Sequence, residues 1–158
     1  MRLRLRLRRR RPPDRFEAVV HGNVVTLLHD GAACFPAMLE AIAAAREEVL
    51  FEMYWFGSDR TGRRFADALM ERARAGVDVR VIYDAVGSLE AEDALFDAMR
   101  AAGCQVHEYN PIAPWRQRFD LGLVNNRDHR KIIVVDRKVA FTGGLNVGDP
   151  WAPEDEGG

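Results

Sequence analysis

Arg127-Asp128-His129-Arg130-Lys131-Ile132-Ile133-Val134-Val135-Asp136-Arg137-Lys138-Val139-Ala140-Phe141-Thr142-Gly143-Gly144-Leu145-Asn146 is the stretch around which the chain is organised. Ile132 to Val135 is a β-branched run, Asp136-Arg137-Lys138 is turn-like, and Val139 to Thr142 reads as a second strand, so the pattern predicts a β-hairpin. Alternate side chains of a strand share a face, which puts His129 and Lys131 on one side and Arg130 on the other. Asp136 would lie roughly 23 Å from His129 along an extended chain at ~3.3 Å per residue. It is therefore read as a turn former and motif residue, not as a partner of the imidazole.

With the turn centred near Arg137, position 145 falls opposite 129 and position 143 opposite 131. The hairpin then delivers Gly143, Gly144 and Asn146 beside His129 and Lys131. An ammonium offers charge to a phosphate, an amide offers a neutral donor, and glycine lets the backbone approach closely. Imidazole can attack, or pass a proton near neutral pH. Together these groups suit a phosphate ester, with no metal and no cofactor required.

At these residues the chain resembles the phospholipase D superfamily. His129-x-Lys131-x4-Asp136 followed by Gly143-Gly144-x-Asn146 is similar to its His-x-Lys-x4-Asp…Gly-[Gly/Ser]-x-Asn signature. Glycine at 144, where many members carry serine, resembles the cardiolipin synthase branch. One copy of the motif is present, whereas a complete active site in that family uses two.

Ahead of the hairpin, the chain alternates strand and helix. Expected strands run over 23–29, 49–56, 77–84 and 104–109, and expected helices over 35–46, 61–75 and 90–102, with Gly57-Ser58-Asp59 as turn and N-cap. That alternation predicts an α/β fold with parallel strands, closed by the antiparallel hairpin. The resemblance refines it to a mixed, mostly parallel sheet flanked by helices, one motif-bearing half of a phospholipase D-like α/β/α sandwich.

Glu52 is the one charge in the apolar strand Val49 to Phe56. A buried carboxylate needs a partner; His129 or Lys131 could supply it, and so could a core arginine or a backbone group. A similar Glu-x-Tyr pattern in cardiolipin synthase-like sequences places Glu52 at the site. Arg127 could reach substrate phosphate, while Arg130, on the opposite face, reads as structural. His21, His29 and His107 read as half-exposed strand-end residues. Residues 110–126 form a long loop in which Trp115, Arg116, Arg118 and Phe119 would suit a lipid headgroup rim or stacked bases.

The net charge of −1 conceals an asymmetry: residues 1–15 hold eight Arg and one Asp, leaving −8 on the rest. This basic arm could bind an anionic membrane surface or nucleic acid phosphates, or be a disordered extension. The domain organisation read from sequence is the arm at 1–15, one phospholipase D-like domain at 22–149 and an acidic tail at 150–158. Cys34 and Cys104 have no metal-ligand spacing and read as reduced core residues of a cytoplasmic protein. No apolar run approaches the ~20 residues that span a bilayer.

The resemblance implies a phosphatidyltransferase that works through a phosphohistidine. His129 would be the nucleophile or acid–base, Lys131 and Asn146 would hold the non-bridging oxygens, and Gly143 and Gly144 would line the pocket. The implied substrate is a phosphatidylglycerol-like phospholipid, with the protein peripheral on the inner membrane. The second motif would come from a homodimer or from a further C-terminal half. The alternatives are a homodimeric phosphodiesterase on nucleic acid, which the acidic body disfavours, and a non-catalytic binding module.

Overall fold

The computed structural model describes residues 15–111 and 126–153. The basic arm up to 14, the loop residues Trp115, Arg116, Arg118 and Phe119, and the tail from 154 lie outside the described residues. In chain order the elements are β1 (Arg15–Val20), β2 (Asn23–Leu28), α1 (Gly31–Ala44), β3 (Glu48–Met53), α2 (Arg60–Arg74), β4 (Asp78–Asp84), α3 (Asp93–Ala101), β5 (Gln105–Tyr109), β6 (Lys131–Val135) and β7 (Val139–Thr142), then a short 3-10 turn at Asp149–Trp151. The sheet order is β5-β4-β3-β6-β7, parallel from β5 to β3 and antiparallel from β3 to β7. The expected mixed α/β fold is observed. Both parallel crossovers step in the same direction, so right-handedness sends α2 and α3 to one face of the sheet. On that face Val49, Phe51, Val81, Ile133, Phe65, Leu69 and Met99 form the core.

Local chemistry sets the boundaries. Asp30 caps α1 by accepting from Ala33 N–H at 3.2 Å, which starts the helix at Gly31, ahead of the predicted Phe35. Asp59 caps α2 through Gly62 N–H at 2.9 Å. The strand β1 is an addition to the sequence-based expectation. It pairs with β2 alone, through a turn in which His21 and Gly22 both adopt positive φ (50° and 82°), the geometry favoured by two-residue hairpins.

The β6–β7 register follows the expectation, with Val135 opposite Val139 and Ile132 opposite Thr142. Asp136 and Arg137 turn the chain with φ of 51° and 55°. The Asp136 carboxylate does more than turn it. It accepts from the backbone N–H groups of Arg46 (2.9 Å), Glu47 (2.8 Å) and Glu48 (3.0 Å), and so fastens the hairpin tip to the start of β3. These backbone bonds hold its pKa below the ordinary carboxylate value. A group with a depressed folded pKa contributes stability that is present at neutral pH and lost as pH falls. We expect Asp136→Ala to lower the thermal midpoint at pH 7, with the deficit shrinking as pH drops below the unfolded-state value of 3.8. Thermal melts of both proteins across pH 3–7 (roughly the carboxylate range) measure this, and a pH-independent deficit contradicts it.

Candidate active site

The motif residues gather at the carboxyl ends of β3 and β4, where open α/β sheets place their ligands. Lys131 is the register partner of Met53, the last residue of β3. Its side chain lies on the helix-covered face and is 6% exposed. The ammonium donates to the His129 carbonyl at 2.8 Å and stands 4.9 Å from the centroid of the Tyr54 ring. Burial lowers its pKa, and the Asp128 charge opposes that. His129 is exposed, with its imidazole centroid 4.4 Å from the same Tyr54 ring. The Tyr54 ring therefore meets both motif side chains. Sequence reasoning missed it: the Glu52-x-Tyr54 pattern was valued for its carboxylate, although the tyrosine is the member that touches both groups.

Asn146 is buried, and its Oδ1 accepts from Trp55 N–H at 3.2 Å. Because the backbone donor claims the amide oxygen, the amide NH2 is the end left to serve as donor. Val147 continues the tie, donating to Trp55 O at 3.2 Å and accepting from Gly57 N–H at 2.9 Å. Asn146 is thus tied to the backbone one residue beyond Tyr54, whose ring meets His129 and Lys131. Gly143 and Gly144 line one cavity together with Lys131. A Cβ at either glycine would meet no atom within 4 Å, and neither has positive φ. Among the described residues nothing demands glycine at either position.

One expectation is corrected. Glu52 does not pair with His129 or Lys131; its carboxylate meets the Arg130 guanidinium at 2.6 Å, and Arg130 also binds Asp128 at 2.8 Å. Strand parity is the cause: Glu52 faces away from Met53, the partner of Lys131, and Arg130 faces away from Lys131. Arg127 is held by groups of the protein itself. Its guanidinium donates to Asn110 O at 3.1 Å and lies 3.5 Å from the Asp84 carboxylate, so it braces the approach to His129.

The brace centres on Asp84, whose side chain is 0% exposed. It accepts from Val86 N–H (2.9 Å) and Gly87 N–H (3.0 Å) on one oxygen and from Asp128 N–H (2.9 Å) on the other. Ser88 continues the brace, accepting from Phe56 N–H at 3.0 Å and donating to Tyr54 O at 3.3 Å. Gly87 is required here, because a Cβ would stand 2.1 Å from Tyr54 O. Among the described residues, no cluster of His, Cys, Asp and Glu is placed to hold a metal ion.

The chain is similar in sequence and in fold to known proteins. Residues 38–152 match the family model described as cardiolipin synthase, PLD-like domain. The chain is 40% identical over 129 residues to cardiolipin synthase A of Pseudomonas fluorescens, covering 82% of this chain and 26% of that protein. It is 38% identical over 130 residues to a cardiolipin synthase of Geobacillus thermodenitrificans, covering 82% and 25%. The chain thus spans about a quarter of the length of these relatives. Among solved structures, a phospholipase D family member, Nuc from Salmonella typhimurium, superposes with a TM-score of 0.59 at 23% identity, covering 77% of this chain and 69% of that one. NucT from Helicobacter pylori gives 0.55 at 21%, covering 73% and 68%. These two likenesses concern the fold.

The Glu52–Asp128–Arg130 cluster sets a pH dependence. Burial, then the hydrogen bond and charge of Asp128, raise Glu52 to about 7 against the opposing Arg130 charge. Burial works against ionisation of Asp128 too, but hydrogen bonds from Arg130 and Glu52 outweigh it and hold Asp128 at about 2. An acid whose folded pKa is raised binds its proton more tightly when folded, so its stabilisation fades as pH climbs from 4.5 to about 7. Glu52→Gln keeps a neutral side chain throughout. Its stability relative to wild type should rise across that window by something on the order of 2 kcal/mol, as read by urea denaturation; a constant difference contradicts it.

Proposed function

Since the chain belongs to the phospholipase D-like family that includes the cardiolipin synthases, we propose that it is one motif-bearing half of a phosphatidyltransferase. The observation that carries this is the meeting of His129 and Lys131 on the Tyr54 ring, with Asn146 tied to the adjoining Trp55 backbone. The substrate is a phosphatidylglycerol-like phospholipid. The His129 imidazole attacks phosphorus, a P–N bond forms, and the bond to the leaving alcohol breaks. That alcohol takes its proton from the histidine of a second motif. A second alcohol, deprotonated by the same group, then attacks phosphorus and releases His129. Lys131 and the Asn146 NH2 hold the non-bridging oxygens. Their charge and dipole are fixed before reaction, where electrostatic stabilisation is most effective.

The second motif comes from another copy of the chain or from a longer polypeptide of which this is a part. Among the described residues, no helix is long and apolar enough to cross a membrane; the eight arginines of residues 1–15 support a peripheral position on the anionic cytoplasmic surface of the inner membrane. Incubation with phosphatidylglycerol vesicles, and separately with plasmid DNA, tests the substrate class. We expect diphosphatidylglycerol and free glycerol from the first and no nicking in the second. His129→Ala should lower turnover at least about a hundred-fold and abolish the acid-labile phosphoenzyme. Turnover surviving that change, or nicking of DNA without lipid transfer, overturns the assignment.

A further inference from the structure

The cavity that Lys131 shares with Gly143 and Gly144 has a volume of about 370 Å3, within the roughly 300–1,000 Å3 of small-molecule sites. Its polar side chains are Lys131 and Thr142 of the hairpin and His29 just beyond β2. The rest of the lining is largely hydrocarbon and sulfur, with Met53 and Ile133 from the sheet and Cys34 and Met38 from α1. Leu27 and Leu28 of β2 close the side towards the two-stranded ribbon. An ammonium set in a largely apolar lining fits an amphiphile with an anionic head.

The ribbon extends this character outward. Phe16 and Leu27 are cross-strand partners and share a face, as are Ala18 and Val25. Phe16 is 61%, Val25 54% and Leu27 67% exposed. An apolar stripe therefore leads from the cavity to solvent, on an element that directly follows the arginine-rich segment in sequence. A cationic segment joined to an exposed apolar face is the pairing that an anionic bilayer attracts.

We propose that this cavity is an acyl-chain subsite: it takes the first carbons of one fatty chain of the phospholipid whose phosphodiester lies against Lys131, and the β1–β2 ribbon passes the remainder to the bilayer. The proposal rests on the phosphodiester-transfer function above and adds where the hydrocarbon goes. Each methylene buried strengthens binding roughly four-fold.

Binding of dihexanoyl-phosphatidylglycerol, kept below its micelle concentration, and of glycerophosphoglycerol to the full chain tests it calorimetrically. The acylated compound should bind at least about ten-fold more tightly. Met38→Trp, which fills the cavity from α1, should bring the two to near parity while leaving glycerophosphoglycerol unchanged. Cys34, on the cavity wall, gives a readout that needs no variant. Its modification by methyl methanethiosulfonate should slow in the presence of dihexanoyl-phosphatidylglycerol, while that of Cys104, buried elsewhere, should not. Equal affinities in the wild type, a preference that survives in Met38→Trp, or an unprotected Cys34 overturns the subsite alone. Binding of neither compound overturns the phosphodiester site and the subsite with it.

Discussion

The structure depends on a carboxylate that has no access to water. Asp84 ends β4 inside the protein, where an ionised group without partners would cost several kcal/mol. Its two oxygens are satisfied by backbone N–H groups from two segments distant in sequence, the turn after β4 and the residue before His129. The requirement to satisfy one buried charge thus brings the chain into β6 at a defined place. At the other end of the sheet Asp136 gathers three N–H groups at the start of β3. Between these two anchors the strand carrying Lys131 has little freedom to shift.

The sheet also keeps opposite charges apart. Lys131 emerges on the helix-covered face beside the apolar cavity. The neighbouring acids Glu52, in β3, and Asp128, ahead of β6, are engaged by Arg130. Were those carboxylates turned to the other face, they would neutralise the ammonium. Strand alternation therefore separates the face that carries Lys131 from the face that carries Glu52 and Arg130 within a single layer of backbone.

How much of this was legible in sequence follows from distance along the chain. The hairpin register could be read because it depends on local facts: β-branched runs, a turn-forming triplet and a period of two. Arg130 was assigned to the face opposite His129 by the same rule. The partner of Glu52 could not be read, since it depends on β6 lying beside β3, which no local pattern specifies. The clamp of Asp84 on the Asp128 N–H and the grip of Asp136 on residues 46–48 are hidden for the same reason. The strand β1 escaped notice because Arg15 to Val20 abuts the arginine-rich segment and pairs only with β2. The role of Tyr54 depends on where the ring comes to rest after β3 has ended, and strand periodicity does not extend that far.

The pairing of β6 with β3 explains a number that looks chemical but is architectural. The residues from Ile132 to Val135 lie rung for rung against those from Glu52 back to Val49. Lys131 meets the last residue of β3, and the Asp136 N–H meets the carbonyl of Glu48, its first. The gap between the lysine and the aspartate of the motif is thus a ruler cut to the height of the neighbouring strand. A relative with a taller central strand would need a proportionally wider gap, with no change in the chemistry at either end.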